Sequence, residues 1–219
     1  MTGFPGAPRL VKGGIVLLDS VTGALQRMVA LQYNPDSLSR VLQPQALGPD
    51  SGDHLEALRI KGPPSETIKL EAELDATDQL EHPDSNPDTV QLGILPELAA
   101  LEMLVYPPSE RLQRNHALAS LGTLEIAPVI APLTLFVWGS QRVVPVRLTD
   151  FTITEEAFDT ALNPVRAKIA LGMRVLSIND LPFDSRGGSL FMIYHQQKER
   201  LSARSRAATA GTLGLRGVP

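Results

Sequence analysis

The stretch that decides the fold runs from Leu133 to Leu176: LTLFVWGSQRVVPVRLTDFTITEEAFDTALNPVRAKIALGMRVL. Apolar and polar side chains alternate along three segments of it, and a period of two is typical of strands with one buried face. Gly139-Ser140, a two-residue hairpin turn, and Asn163-Pro164 separate the segments. We therefore predict three consecutive strands joined by two tight turns, with a β-bulge or bend near Asp150, where the alternation changes phase.

Further strands are predicted upstream of this stretch. The clearest is Thr67 to Asp75, in which every second residue is apolar, and one face of that strand should lie on a core. A hairpin is predicted from Ile15 to Tyr33, with its turn at Asp19 to Gly23 and its return strand from Ala24. Shorter strands are predicted at Ser37 to Gln43 and Leu55 to Ile60.

Two helices are predicted. Ile94, Leu98, Leu101 and Val105 recur at helical spacing, which indicates a helix from Thr89 to Tyr106 that holds Pro96 in its first turn or is kinked there. Ser189 is predicted to cap a second helix that extends to Leu201. The polar stretches from Pro44 to Asp53 and from Gln79 to Asp88 are predicted to be loops.

These elements predict a mainly β (α+β) fold: an antiparallel β-sandwich or partly open β-barrel with a central helix and a C-terminal helix. The predicted organisation is a flexible N-terminus (1–10), a β domain (11–180), a C-terminal helical extension (181–203) and a mobile tail (204–219).

Composition excludes several classes of protein. The 219 residues carry a net charge of −4 and no cysteine, which argues against nucleic acid as a partner and excludes disulfides and thiolate chemistry. The N-terminus lacks the apolar core of a signal peptide, and no apolar run reaches the roughly 18 residues of a membrane span. We expect synthesis and assembly in the cytoplasm.

No motif for catalysis or for metal or cofactor binding stands out. The four histidines (His54, His82, His116 and His195) lie far apart, without metal-ligand spacing. Asp84 to Asp88 imitates the start of a calcium loop, but Thr89 replaces the required glycine and Leu95 replaces the bidentate glutamate. No phosphate-binding or serine-hydrolase motif occurs. We therefore predict no catalytic, cofactor-binding or metal-binding residue, no cofactor, and a protein that is not an enzyme.

Five short motifs, in order along residues 25 to 178, resemble a known family. They are Leu31–Leu38 (LQYNPDSL), Gly62–Ile68 with Glu73–Ala76, Gly93–Glu102 (GILPELAALE), Leu135–Gly139 (LFVWG), and Phe151–Phe158 with Asn163–Ala167. Together they resemble the tube and baseplate adaptor family of contractile injection systems, the N-terminal part of LysM-containing baseplate proteins. After the Leu190 to Leu201 helix the chain leaves no room for a LysM module, so glycan binding is not expected here.

The resemblance implies a structural role in a phage-tail-like particle. Members share the tail-tube fold, form hexameric rings, and join the inner tube to the spike and baseplate. The first prediction is such an adaptor, with the inner tube, spike and baseplate proteins as partners. The alternative is a tube or tube-initiator subunit of the same machinery, and a remote alternative is a small-molecule-binding barrel. Nucleic-acid binding and membrane insertion are not expected; the particle is cytoplasmic, membrane-attached or released.

Contacts between subunits are predicted at the aromatic-Asn-Pro motif and at the two hairpins. Trp138, the single tryptophan, is predicted to be a core residue, with an interface anchor as the alternative. The Pro44–Asp53 and Glu81–Asp88 loops are predicted to touch adjoining layers of the particle. The predicted interface residues are Tyr33, Asn34, Pro35, Trp138, Gly139, Phe158, Asn163 and Pro164.

Overall fold

The structure, a computed structural model, describes residues 11–45, 60–120 and 131–205. Within these ranges, seven strands form one antiparallel sheet in the order β2-β1-β5-β6-β7-β4-β3. They are β1 (Gly14–Leu18), β2 (Leu25–Ala30), β3 (Leu38–Gln43), β4 (Ser65–Asp75), β5 (Leu133–Val137), β6 (Val143–Phe158) and β7 (Pro164–Val175). The mainly β fold is confirmed, and so are the three strands after Leu133.

In the described part of the chain, five α-helices and one 3₁₀ turn accompany the sheet. They are α1 (Thr77–Leu80), the 3₁₀ turn Pro83–Ser85, α2 (Pro87–Leu92), α3 (Leu95–Glu102), α4 (Ser109–Ser120) and α5 (Arg186–Ala203). Among the described residues, no helix combines the length and the apolar character needed to cross a membrane.

One core lies between the sheet and the helices. Ile68, Leu70, Ala72 and Leu74 of β4 are buried, as the alternation predicts, and every second residue of β7 from Ala167 to Val175 joins them. α3 contributes Leu98 and Leu101 to this cluster, and α5 contributes Phe191 and Tyr194. The predicted bulge is confirmed by a register shift between Leu148 and Asp150, which returns Phe151 and Ile153 to the core side.

The sheet rolls toward a barrel without closing. β2 and β4 are far apart in strand order, yet Gln32, which follows β2, reaches the end of β4. Its side-chain amide donates to the Asp75 carbonyl at 2.6 Å and accepts from the Asp75 amide at 3.0 Å. This pair of bonds has the donor-and-acceptor pattern of two paired residues in neighbouring strands. The two sides of the sheet are therefore joined here by a side chain instead of by strand pairing.

The single helix predicted from Thr89 to Tyr106 is wrong. The chain forms α2 and α3 instead, separated at Gly93, whose φ of 59° favours glycine. A Cβ at Gly93 would lie 2.2 Å from the Pro164 carbonyl oxygen, so only glycine allows the β6–β7 hairpin to approach here. Pro96 is in the first turn of α3, which is one of the two predicted placements.

Several local predictions are also corrected. Ser185, not Ser189, caps α5, because its hydroxyl accepts from the Gly188 amide. The Gln79–Asp88 stretch is largely helical rather than a loop. The β5–β6 turn contains three residues, Gly139 to Gln141, since Trp138 donates to the Arg142 carbonyl.

β2 is shorter than predicted, ending at Ala30. The pairing of β2 with β1 ends at Ala30, opposite Gly14, and two residues later the Gln32 side chain bonds to the backbone of Asp75. The predicted strand at Leu55–Ile60 and the predicted loop at Pro44–Asp53 lie almost entirely outside the described residues. The predicted N-terminus (1–10) and most of the predicted tail lie outside them as well.

Candidate subunit interface

One half of the sheet has two edges that lack a partner strand among the described residues. Along β6, only Val143 to Val146 pair with β5, whereas the pairing of β6 with β7 continues to Phe158. Residues Arg147–Phe158 of β6 therefore have β7 on one side and no described strand on the other. β3 likewise pairs with β4 alone among the described strands. We call the set of Arg147–Phe158, β7, β4 and β3 the outer sheet.

The two free edges of the outer sheet run in opposite directions. Each of its four strands is antiparallel to its neighbour, so the first and the last are antiparallel as well. A second copy placed beside the first in the same orientation would bring β3 against the outer half of β6 as an antiparallel pair. Such a contact joins two different patches, which is the heterologous type that gives a ring when the rotation closes and an open filament when it does not.

The two faces of the outer sheet differ sharply. One carries the core residues of β4 and β7 described above. The other is polar and exposed, with Lys69, Glu71, Lys168, Thr152 and Thr154 on it. On the β3 edge, Val41 is 48% exposed and Leu42 is 46% exposed. Exposed apolar residues on an unpaired strand are typical of a surface that another chain covers.

The tip of the β6–β7 hairpin is apolar and exposed. Phe158 is 52% exposed and Leu162 is 80% exposed. Leu162 has a φ of 65°, in the left-handed region that non-glycine residues rarely adopt. Asp159 holds the turn by accepting from the amide and side chain of Asn163, and these bonds lower the pKa of Asp159.

The predicted residues Asn163 and Pro164 anchor this tip to the helices. The Asn163 side chain donates to the Gln91 carbonyl at 3.0 Å, and the Ile94 amide donates to the Pro164 carbonyl at 2.9 Å. Both residues thus fix the hairpin at the α2–α3 break, while Phe158 remains exposed beside them.

Part of the predicted motif Tyr33-Asn34-Pro35 makes contacts within the chain itself. The Asn34 side chain accepts from the Gly13 amide at 2.8 Å and donates to the Val11 carbonyl at 2.9 Å. Tyr33 is exposed, its hydroxyl lying 3.5 Å from Asp78, and burial with the nearby carboxylates raises the pKa of Tyr33. Asn34 therefore positions the segment before β1, and Tyr33 and Pro35 remain accessible in part.

Trp138 packs beside the same segment. Its ring stacks on Phe136 at a centroid distance of 5.8 Å and covers Gly13, where an added Cβ would lie 2.5 Å from the ring. Trp138 is half-buried and packs against the core, and Gly139 follows it in the turn with a φ of 69°. The structure thus brings Asn34 and Trp138 together around Gly13, while Phe158, Asn163 and Pro164 form a separate group at the hairpin tip.

Sequence reasoning missed a buried charged cluster on β3, β4 and α5. Glu66 is 3% exposed and accepts hydrogen bonds from Arg40 at 2.7 Å, Tyr194 at 3.0 Å and Lys198 at 2.9 Å. The Lys198 ammonium also lies 4.0 Å from the Tyr194 ring centroid. One signal was available: Glu66 falls in phase with Ile68 and Leu70, which places it on the core face.

The charges of this cluster are compensated. Burial raises the pKa of Glu66, but the hydrogen bonds and charges of Lys198 and Arg40 outweigh burial, so the pKa is lowered. Burial and the Glu66 carboxylate raise the pKa of Tyr194 to about 12. The cluster fastens α5 to the sheet and offers no free acid or base for catalysis.

Within the described ranges, no group of three or more histidine, aspartate or glutamate side chains is placed to hold a metal ion. His54 lies outside those ranges.

Comparison with known proteins does not assign this chain to a family. No protein-family model matches the chain, and no curated protein matches it. Among solved structures, the tail of an empty GTA particle, from helical refinement in C6 symmetry, is similar to this chain at 10% identity and a TM-score of 0.27. That match covers 75% of this chain and 90% of the other. A TM-score this low assigns neither fold nor function, so the resemblance drawn from short motifs stays a prediction.

Proposed function

We propose that this protein is a structural subunit of a phage-tail-like contractile injection system, an adaptor that forms a ring between the inner tube and the spike and baseplate. The observation that carries the proposal is the outer sheet, with two edges that no strand in the described part of the chain pairs with, at opposite sides and in opposite directions. A hexameric ring, as the motif resemblance implies, closes when β3 of each copy pairs with the outer half of β6 of the next.

Burial on the two faces supports a ring of this kind. The core face of the outer sheet is covered by α3 and α5, so the polar face is left for the inside of the ring. Strand pairing satisfies the unpaired backbone groups of both edges at once, and it covers Val41 and Leu42. These two edges would be sites of aggregation in a monomer, and ring closure pairs both of them.

The role is structural rather than catalytic in this proposal. The buried Glu66 carboxylate is paired with Arg40 and Lys198, and the exposed carboxylates of the outer sheet lie among lysine and threonine side chains. We propose that synthesis and assembly take place in the cytoplasm and that the particle is then retained there, attached to a membrane or released.

Light scattering on the purified chain, alone and mixed with the spike and tube proteins of the same particle, tests the proposal. The expected result is a discrete species of six times the 23.6 kDa chain mass, formed alone or on mixing. A monomer that binds neither the spike protein nor the tube protein would contradict the proposal. Long open cylinders would instead favour the tube subunit, which uses the same seam between copies.

A further inference from the structure

A groove lies between the two sides of the sheet where the barrel does not close. β2 has β1 on one side and no described strand on the other. β3 pairs with β4 only as far as Leu70, so Glu71–Leu74 also have no described strand on that side. The bonds from Gln32 to Asp75 join the two sides of the sheet, and the groove lies beside this bridge.

Apolar side chains line most of the groove. Its volume is about 270 Å³, and a cavity of roughly 150 Å³ already admits benzene. The groove therefore has room for an apolar side chain of another molecule. The strands and α3 contribute the apolar lining, which includes Val29, Leu31, Ala72, Leu74, Ala100 and Leu101.

The backbone of β2 beside the groove is positioned to pair with a further strand. The Leu31 amide donates to the Gly13 carbonyl of the β1 segment at 2.9 Å. Successive residues of an antiparallel strand direct their backbone groups to opposite sides, so those of Met28 and Ala30 point away from β1. Both residues are exposed, and both line the groove.

The rim of the groove is acidic. Glu73 and Glu97 line it and are exposed. Arg166 lies 3.8 Å from Glu73 but is paired more closely with Asp75, at 2.6 Å. Residues 77 to 102, which form α1 to α3, add no lysine or arginine. The rim is therefore complementary to lysine or arginine side chains of a partner.

We propose that an extended segment of another protein adds to β2 as an antiparallel strand. Its alternate apolar side chains enter the groove, and its lysine or arginine side chains face Glu73 and Glu97. Strand addition of this kind derives affinity from main-chain hydrogen bonds and specificity from side-chain pockets. The inference goes beyond the proposed function, because the seam between copies uses β3 and β6 and leaves β2 for a different partner.

Fluorescence anisotropy with synthetic peptides tests the site. The probes are 12-residue peptides of alternating valine and threonine, with two lysines or two glutamates at each end. The lysine-ended peptide should bind saturably, and the glutamate-ended peptide at least about tenfold more weakly, because its charges repel the acidic rim.

Ala30→Pro tests the strand pairing. Proline removes the amide that points away from β1 and leaves the β1–β2 pairing intact, since proline is tolerated on an edge strand at such a position. The lysine-ended peptide should bind this variant at least about tenfold more weakly than wild type. Ala30→Thr keeps the amide and is the control, with binding as in wild type. Circular dichroism would confirm that both variants are folded.

Hydrogen exchange on the wild-type chain tests the same contact without a substitution. Binding of the lysine-ended peptide should protect the amides of Met28 and Ala30 from exchange, because they become donors to the added strand.

Glu73→Gln with Glu97→Gln tests the acidic rim. Loss of two exposed charges should weaken binding of the lysine-ended peptide about three- to tenfold. Glu110→Gln with Asp184→Asn removes two exposed carboxylates outside the groove lining and should bind as wild type does.

The outcomes separate this inference from the ring proposal. Absence of binding, binding that Ala30→Pro leaves unchanged, or equal binding of the two peptides would overturn the strand-addition site and leave the ring standing. A chain that binds the lysine-ended peptide as described but forms no ring in light scattering would contradict the ring alone.

Discussion

Two side-chain amides replace backbone hydrogen bonds where the sheet is interrupted. Gln32 bonds to both backbone groups of Asp75, and Asn34 bonds to Gly13 and Val11. Both residues belong to the Leu31–Leu38 motif, so that motif has a structural role within the chain itself. Its alternation of polar and apolar residues gave no sign of these bonds, because each partner lies far away in sequence.

Gln32→Ala should loosen the contact between the two sides of the sheet. Two part-buried backbone groups of Asp75 lose their partner, so we expect a loss of about 1–3 kcal/mol in the free energy of unfolding. Urea denaturation measures this loss. Gln91→Ala, at an exposed position of α2, is the control and should change the unfolding free energy little. Equal stability of Gln32→Ala and wild type would contradict the bridging role.

Glu66 should make stability depend on pH in the acid range. Its folded-state pKa lies below the ordinary value of 4.5, so its contribution is present above that value and is lost as pH falls through the folded pKa. Glu66→Gln should lower stability at neutral pH by about 1–3 kcal/mol, because Arg40 and Lys198 lose their carboxylate.

The same variant should flatten the acid side of the stability profile. Part of the slope should remain, because hydrogen bonds from Thr77 and Arg166 outweigh burial and lower the pKa of Asp75 as well. Thermal unfolding across the acid range measures this, with Glu71→Gln at an exposed position of the same strand as the control. A profile for Glu66→Gln as steep as that of wild type would show that Glu66 is not its source.

At the scale of elements, the long strand β6 makes the outer sheet possible. Val143 to Val146 of this strand pair with β5. From Arg147 to Phe158, across the bulge at Asp150, β6 pairs with β7 and with no other described strand. The sequence predicted both the strand and the bulge from the change of phase. The break between α2 and α3 was not predicted, because the requirement for Gly93 comes from Pro164, about seventy residues away.

A charge on the β3 edge should prevent assembly without unfolding the subunit. Val41→Lys places a lysine in the proposed seam, and a charged edge strand resists pairing with another chain. We expect a folded monomer, measured by light scattering together with circular dichroism. Val41 is already 48% exposed, so the fold should tolerate the change.

Met28→Lys is the matched control for this variant. Met28 is an apolar residue, 63% exposed, on β2, the unpaired edge that the proposed seam does not use. It should assemble as wild type does. Assembly lost in Met28→Lys but kept in Val41→Lys would move the seam from β3 to β2.

At the scale of the whole molecule, the class of fold followed from periodicity, but the strand order did not. Strand length, turns and the choice of which alternate residues are buried are local properties. The alternation of apolar and polar residues in Thr67–Asp75 and Leu133–Leu176 predicts them. The position of β4 between β7 and β3, and the packing of α5 against the start of β4, depend on contacts between distant residues such as Glu66 and Lys198. The seam edges therefore emerged only from the pairing pattern.

Disulfide cross-linking tests the proposed seam most directly, because the chain has no cysteine of its own. Single cysteines at Ser39 or Val41 of β3 would be combined with one at Thr152 or Thr154 of β6, all on the polar face of the outer sheet. After oxidation, at least one combination should give a ladder of cross-linked species that ends at six copies, while Met28→Cys with the same β6 cysteines should give none. Absence of cross-links from every β3–β6 combination, or efficient cross-links from β2, would contradict the ring seam proposed here.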